Sequence, residues 1–338
     1  MMLISVSSPS ARLSLFVISL VVLCGAVFAS LVFGQYPVTV QQVWPAFWHP
    51  EPTSIEHVVI NTIRWSRTII AIVVGAALAI AGVLMQTLTR NPLASPAIFG
   101  VNAGAVFFIV LCSQVFAFSD MSMLFWVALF GAGVAGGLVY ALGNLGRDAQ
   151  SPVRLVLAGA AISALFMAFT QGLLVIGQDG VDSVLFWVAG SVSGRELGDI
   201  MPVMPYLLAT MLAAVLLAPH INILLSGDDI ATGLGQNTWL LKVALSLLIV
   251  ALAGISVAMA GNIGFIGLIV PHMARSLVGN DHKWLLPLSA IWGATLLLLA
   301  DVITRIILPP EEIPIGVMTA LIGAPFFIFL ARKGNRNA

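Results

Sequence analysis

Four charged residues in apolar surroundings are the first candidates for chemistry in this sequence. Arg64 and Arg67 stand three residues apart at the start of a long apolar stretch, so both would lie on one face of a helix. Asp301 is the only acid well inside an apolar stretch, and it precedes Arg305 by four residues. This spacing allows an ion pair within one helix, which we expect for Asp301. The chemistry available to this set is ion pairing, within the chain or with an acidic partner.

The other polar residues do not form the patterns of a catalytic, cofactor or metal site. The histidines are His49, His57, His220, His272 and His282. They are scattered, and none pairs with another His or Cys at metal-ligand spacing. Cys24 and Cys112 lie in apolar stretches too far apart for a CxxC site. No GxxxxGK[ST] motif occurs, so any ATP that drives this protein must be bound by another chain.

The composition indicates that lipid is the main solvent of the chain. Of its 338 residues 60% are hydrophobic and only 8% are charged, with a mean hydropathy of +1.07, whereas soluble domains have roughly 25% charged residues. We predict an all-α, polytopic membrane protein with about ten transmembrane helices, the first of them retained. The predicted spans are 13–34, 65–88, 97–117, 122–143, 153–177, 200–219, 239–260, 263–279, 284–306 and 314–331.

The placement of Lys and Arg predicts the orientation. With the N-terminus in the cytoplasm, ten of the fourteen basic residues fall on the cytoplasmic side, which agrees with the positive-inside rule. Both termini are then cytoplasmic. Of the basic residues, only Arg64, Arg67, Arg195 and Arg305 then lie on the outer side of the membrane. The net charge is zero, which gives no reason to expect a nucleic-acid partner. Arg64, Arg67 and Arg305 would form a docking patch for an acidic partner, with headgroup contact as the alternative.

An internal repeat is visible in the small residues. The segment 75–82, GAALAIAG, is similar to 254–261, GISVAMAG, and in both copies a Pro follows ten residues later. The two copies lie on spans of opposite direction, which is typical of an inverted repeat in transport proteins. We predict a single transmembrane domain over 1–338, with repeat halves of about 65–177 and 239–331. The GxGxxG match at 131–136 lies inside a span, so we interpret it as close helix packing.

The longest cytoplasmic connection, about 220–238, carries a short helix in our interpretation. Ser226 followed by Asp229 loosely fits a capping box, and Gly233 or Gly235 could end the helix. Such a helix along the membrane face could act as a lever for a soluble partner. A plain connector is the alternative.

Two long stretches resemble the FecCD/BtuC family of ABC importer permeases for iron–siderophore complexes, haem and vitamin B12. The first is 82–105, GVLMQTLTRNPLASPAIFGVNAGA. The second begins at 264–275, GFIGLIVPHMAR, and continues to Pro325 through 300–305, ADVITR, and 314–325, PIGVMTALIGAP. The resemblance runs from about residue 60 to the C-terminus.

The resemblance implies ten spans, a pathway between two permease chains that are identical or related, two cytoplasmic ATPases and an outer substrate-binding protein. The binding protein, periplasmic or lipid-anchored, would dock on Arg64, Arg67 and Arg305, although Ser66 stands where the family usually has Pro. The implied ATPase-coupling residues are Ser226, Asp229, Gly233, Leu234 and Gly235. The implied cytoplasmic gate consists of Asn91, Pro92, Leu93, Pro152 and Val153.

The cargo that the resemblance favours is a ferric siderophore or ferric citrate, carried across a bacterial inner membrane. Vitamin B12 and haem are the alternatives within the family. Two other classes make different predictions. An ion-coupled secondary transporter would carry acids or histidines deep in several spans, and a membrane enzyme would have polar groups clustered at one depth.

Overall fold

The computed structural model describes residues 8–97, 99–116, 118, 120–143, 152–176, 187–309 and 311–334. These residues form fifteen α-helices and one π-helical turn, and no strand is present among them. The helices are α1 (Pro9–Val32), α2 (Val40–Trp48), α3 (Ile55–Val58), α4 (Trp65–Leu88), α5 (Val101–Phe116), α6 (Met121–Gly143), α7 (Pro152–Ile176), α8 (Leu197–Ile200), α9 (Met204–Leu216), α10 (Ala218–Leu224), α11 (Asp228–Gly233), α12 (Thr238–Ala260), α13 (Ile266–Val278), α14 (His282–Ile307) and α15 (Ile315–Gly334).

The long apolar helices confirm the predicted fold class. By length and composition six helices could each cross a membrane, and the bent pair of α9 and α10 would make a seventh. Three shorter apolar helices, α5, α13 and the first part of α15, fall where the sequence predicts the third, eighth and tenth spans. The described helices therefore account for all ten predicted segments.

Residues 35–64, between the first two predicted spans, are not the plain break that we expected from the sequence. Helix α2 lies within this stretch, and it buries Val43 and Ala46 on one side. Helix α3 then continues without interruption through the π-helical turn Val59–Arg64 into α4. The second span therefore starts inside a 34-residue helical segment, Ile55–Leu88, and not at residue 65.

Two interruptions shape the second part of the chain. Helices α9 and α10 meet at an angle of 48°, and Pro219 in the first turn of α10 explains the bend because it has no N–H to donate to the preceding turn. Helices α12 and α13 are separated by Gly261–Phe265, in which Gly261 and Phe265 have positive φ angles. This confirms that the seventh and eighth predicted spans are separate.

The segment ending in α4 is the centre of the bundle. In its most apolar 18-residue stretch 83% of the residues are buried, whereas the corresponding share in α1 is 22%. Helix α4 packs against α14 and α13 through paired glycines: a Cβ at Gly75 would collide with the carbonyl of Gly293, and one at Gly82 with that of Gly267. Gly131 packs on Gly104 in the same way, which supports the packing interpretation of the 131–136 motif.

The helix pairs are crossed between the two predicted repeat halves. Helix α4 of the first half packs on α13 and α14 of the second half. Helix α12 of the second half packs on α5 and α6 of the first, with Gly254 against Leu129 and Ala132. Two halves related by a two-fold axis would exchange contacts in this way, which supports the inverted repeat. The boundaries of its halves stay a prediction.

Candidate functional site

The buried carboxylate of Asp301 lies at the predicted outer end of the bundle, between two arginines. Asp301 is 0% exposed. Its Oδ1 accepts a hydrogen bond of 2.8 Å from Nη2 of Arg67, and its Oδ2 is paired with Nη2 of Arg305. Asp301 and Arg305 are four residues apart on α14, so the predicted ion pair is confirmed. The contact with Arg67 adds a link from α14 to α4.

Arg67 also reaches a second carboxylate nearer the surface. Its Nη1 donates to both oxygens of Glu312, at 2.8 and 2.7 Å, and to Oγ of Ser193 at 3.2 Å. The side chain of Glu312 is 25% exposed, whereas that of Arg67 is 6% exposed. Arg67 therefore bridges a fully buried carboxylate and one that water can reach.

Arg64 and Arg305 satisfy the carbonyl groups at the end of α1. The last carbonyls of a helix have no partner within it. Arg64 Nη1 donates to the carbonyls of Leu31 and Val32 at 2.6 and 2.7 Å, and Nη2 donates to the carbonyl of Tyr36. Arg305 donates to the carbonyl and Oγ of Ser30, at 3.0 and 2.8 Å. Both guanidinium groups thereby hold α1 against the rest of the bundle.

The structure thus brings the three predicted docking arginines together but directs them inward. Arg64, Arg67 and Arg305 are each 5% exposed or less. Of these internal partners only Asp301 on α14 was expected from the sequence, as the partner of Arg305; the carbonyls at the end of α1 and Glu312 in the loop before α15 were not. Ser66 does not disturb the helix: its Oγ donates to the Thr62 carbonyl at 2.7 Å within the continuous segment. The docking role itself stays a prediction.

At the predicted cytoplasmic end, the short helix expected in the 220–238 connection is present as α11. The capping-box interpretation is wrong, however. Ser226 lies in the turn that follows α10, where its N–H donates to the carbonyl of Ile223. Gly227 precedes α11 with a φ of 116° and without a side-chain cap. Asp229 is therefore free of a capping role, and it is exposed in the first turn of the helix.

The outer side of α11 exposes two large apolar side chains. Ile230 is 55% exposed and Leu234 69% exposed, and a spacing of four residues places them on one face. Gly233 is exposed, and Gly235 ends the helix with a φ of 82°. Ile230 was not among the residues predicted from the sequence, although its spacing of four residues from Leu234 was visible there. An exposed apolar pair on a short helix is suited to insertion into a groove of a partner.

The predicted gate residues lie in two places. Asn91, Pro92 and Leu93 form a tight turn after α4, in which Asn91 Oδ1 accepts the Leu93 N–H at 2.9 Å. Asn91 and Leu93 are half-buried and Pro92 is exposed. Pro152 and Val153 form the first turn of α7, where the structure describes the backbone only.

An ion-pair cluster connects α11 to the turn after α4. Asp228, in the first turn of α11, accepts a hydrogen bond from Arg90 Nη2 at 3.1 Å and one from Lys242 Nζ at 2.6 Å. The hydrogen bond from Lys242 is the main cause that lowers the pKa of Asp228 below its usual value. Asp229 was predicted from the sequence and its neighbour Asp228 was not, because the partner Arg90 is 138 residues away.

The described part of the chain is a multi-pass helical membrane protein. It contains ten apolar segments, one of them bent between α9 and α10, and its charged side chains lie near the ends of the bundle. The comparisons with known proteins identify its class more closely. The chain matches the FecCD transport family over residues 20–333. It is 49% identical over 315 residues to the "Probable siderophore transport system permease protein YfiZ" of Bacillus subtilis (strain 168), which covers 93% of this chain and 94% of that protein.

Other similar proteins have related names. The ferric enterobactin transport system permease protein FepD of Escherichia coli (strain K12) is 43% identical over 274 residues, with 81% of this chain and 82% of that protein covered. The solved structure "An inward-facing conformation of a putative metal-chelate type ABC transporter" superposes with a TM-score of 0.80 and 32% identity, and the match covers 96% of this chain and 100% of that one. The chain belongs to the FecCD transport family, which confirms the resemblance found in the sequence.

Proposed function

We propose that this chain is the permease subunit of an ATP-driven importer that carries a ferric siderophore or ferric citrate into a bacterial cell. Membership of the FecCD family and the names of the relatives support the transport class and the cargo. The observation that carries the proposal is α11, a short helix at the predicted cytoplasmic end with Ile230 and Leu234 exposed. A chain without a nucleotide-binding motif needs such a surface to receive work from an ATPase.

The proposed assembly contains two ATPase subunits, two permease chains and an outer binding protein. The residues proposed to contact the ATPase are Ser226, Asp229, Gly233, Leu234 and Gly235 of the 220–238 connection. The inner gate consists of Asn91, Pro92 and Leu93 with Pro152 and Val153. In this arrangement ATP binding moves α11, and the pathway between the two permeases changes the side on which it is open. Both chain termini lie in the cytoplasm.

Docking of the binding protein uses Arg67 most directly in this proposal. Its second partner, Glu312, is at the surface, so an acidic side chain of the binding protein could replace Glu312 on Arg67. Arg64 and Arg305 add positive charge beneath the same surface and fix the end of α1. Complementary charge at an interface acts mainly on orientation and association rate, so these charges would mainly orient the partner and speed its association.

The cargo is tested by transport in proteoliposomes that contain the permease, its ATPase and its binding protein. Uptake of radiolabelled ferric citrate and of a ferric siderophore is compared with uptake of cobalamin and haem. We expect ATP-dependent uptake of a ferric chelate. Uptake of cobalamin or haem alone would contradict the proposed cargo while leaving the importer class intact, and a failure of all four to enter with ATP would contradict both.

A further inference from the structure

The residue that precedes the proposed gate has an unusual backbone conformation. Helix α4 ends in a Schellman-type cap, in which the N–H of Asn91 donates to the carbonyl of Gln86 and the N–H of Arg90 to that of Thr87. The residue at the Arg90 position of this cap needs a positive φ angle, and Gly is the usual choice. Arg90 adopts φ 50° despite its side chain. The strain indicates that something other than the cap favours an arginine here.

The side chain of Arg90 has a partner on α11. Its Nη2 lies 3.1 Å from Oδ1 of Asp228, and the other oxygen of Asp228 accepts from Lys242 of α12. One carboxylate therefore connects three parts of the chain, namely the turn after α4, α11 and the first turns of α12. Arg90 is bonded directly to Asn91, so any displacement of its side chain acts on the turn formed by Asn91, Pro92 and Leu93.

Stability is not a sufficient reason for this contact. The side chains of Arg90 and Asp228 are 59% and 44% exposed, and exposed ion pairs contribute little to folding. A strained arginine in a weak surface pair is poorly explained as a stabilising feature. It is better explained as a directional connection, because the pair fixes the distance between α11 and the turn after α4.

We propose that Asp228 and Arg90 are positioning residues for transport, which transmit displacement of α11 to the turn Asn91–Leu93. The inference rests on the proposed function, in which α11 contacts the ATPase and this turn closes the pathway. When α11 moves, Asp228 draws Arg90 with it, and the turn moves away from or toward the pathway. Without the pair, α11 still binds the ATPase, but its movement reaches the gate less completely.

The sharpest test replaces Arg90 by glycine. Arg90→Gly removes the charge and also the strain of a side chain at positive φ. The thermal midpoint of this variant should therefore equal or exceed that of the wild type. Transport per ATP hydrolysed should nevertheless fall by about 2- to 30-fold, the range of mutations that alter coupling between sites. Asp228→Asn should give a similar fall. Arg332→Gln, which removes another exposed arginine of the same predicted face, is the matched control and should change neither quantity.

A double-mutant cycle then asks whether the two residues act through one contact. If they do, the Arg90→Gly and Asp228→Asn double variant loses no more transport per ATP than either single variant. The inference would be overturned if the two single losses of transport per ATP multiplied in the double variant. It would also be overturned if the variants transported as well per ATP as the wild type. A parallel fall of thermal midpoint, hydrolysis and transport would also overturn it, as a merely structural role. A wild-type complex that hydrolyses ATP without transport would instead contradict the proposed function.

Discussion

Asp301 accepts hydrogen bonds from both Arg67 and Arg305, so a single fully buried carboxylate connects α4 to α14. Removal of one member of a buried ion pair leaves an uncompensated charge and costs about 3–5 kcal/mol. We expect Asp301→Asn to lower the thermal midpoint of the detergent-solubilised protein strongly, because two guanidinium groups then share a neutral amide.

Glu311→Gln is the matched control for this substitution. Glu311 is an exposed carboxylate at the same end of the bundle, so its loss should leave the thermal midpoint unchanged. An Asp301→Asn protein as stable as the wild type would show that the buried pairs do not hold α4 and α14 together.

Release of Arg67 from Glu312 should strengthen docking of the binding protein. In Glu312→Gln the guanidinium of Arg67 keeps Asp301 but loses its charged surface partner. We expect the Kd for the binding protein, measured on the complex in nanodiscs, to fall by up to about fivefold, which corresponds to about 1 kcal/mol. Charge reversal of Arg64, Arg67 and Arg305 is a poorer test, because all three have internal partners whose loss would disturb the fold.

Glu311→Gln again serves as the control and should leave the Kd unchanged. A weaker complex with Glu312→Gln would indicate that Glu312 itself contacts the binding protein, and would contradict the competition for Arg67.

The exposed apolar face of α11 leads to a separate prediction. Leu234→Glu places a charge where the proposed groove of the ATPase receives an apolar side chain, so ATPase assembly or its stimulation by transport substrate should be reduced at least tenfold, the effect of losing about 1.4 kcal/mol. Leu234→Met keeps an apolar side chain and should retain assembly. Normal substrate-stimulated hydrolysis in Leu234→Glu would contradict a coupling role for α11.

The sequence predicted the spans well because their apolar length is a local property. Even the two-residue break between the predicted spans 239–260 and 263–279 was visible, in Gly261 and Asn262. The partners of Arg64 were not predictable, since they are backbone carbonyls of Leu31 and Val32 that become acceptors only when α1 ends beside α4. Gly34 leaves room for this arrangement, because a Cβ there would lie 2.9 Å from Arg64 Nη2.

The choice between the two acids of α11 shows the same limit. Asp228 and Asp229 are equivalent in a local reading of the sequence, and both belong to the first turn of one helix. Only the packing of α11 against α12 and the turn after α4 places Lys242 and Arg90 beside Asp228. Long-range contacts between charged residues of this kind have no signal in a single sequence.

The attachment of α11 should depend on acid pH. The pKa of Asp228 is lowered in the folded state, first by its hydrogen bond from Lys242, so its contribution is present above the unfolded value of about 3.9 and is lost as the pH falls through the folded pKa. We expect amide exchange in α11, corrected for the intrinsic rate, to accelerate below pH 4. In Asp228→Asn this acid-dependent step should be absent, and its persistence would assign the step to another carboxylate.

In the proposed function, ATP hydrolysis by a partner subunit drives this chain as an importer. The most direct measurement is ferric-chelate uptake into proteoliposomes that hold the permease with its ATPase and binding protein. Uptake is measured under two conditions. One has ATP on the ATPase side and no ion gradient, and the other has a proton or sodium gradient and no ATP. We predict uptake with ATP alone, insensitive to ionophores. Uptake that needs the gradient and proceeds without ATP would contradict the account and favour an ion-coupled transporter.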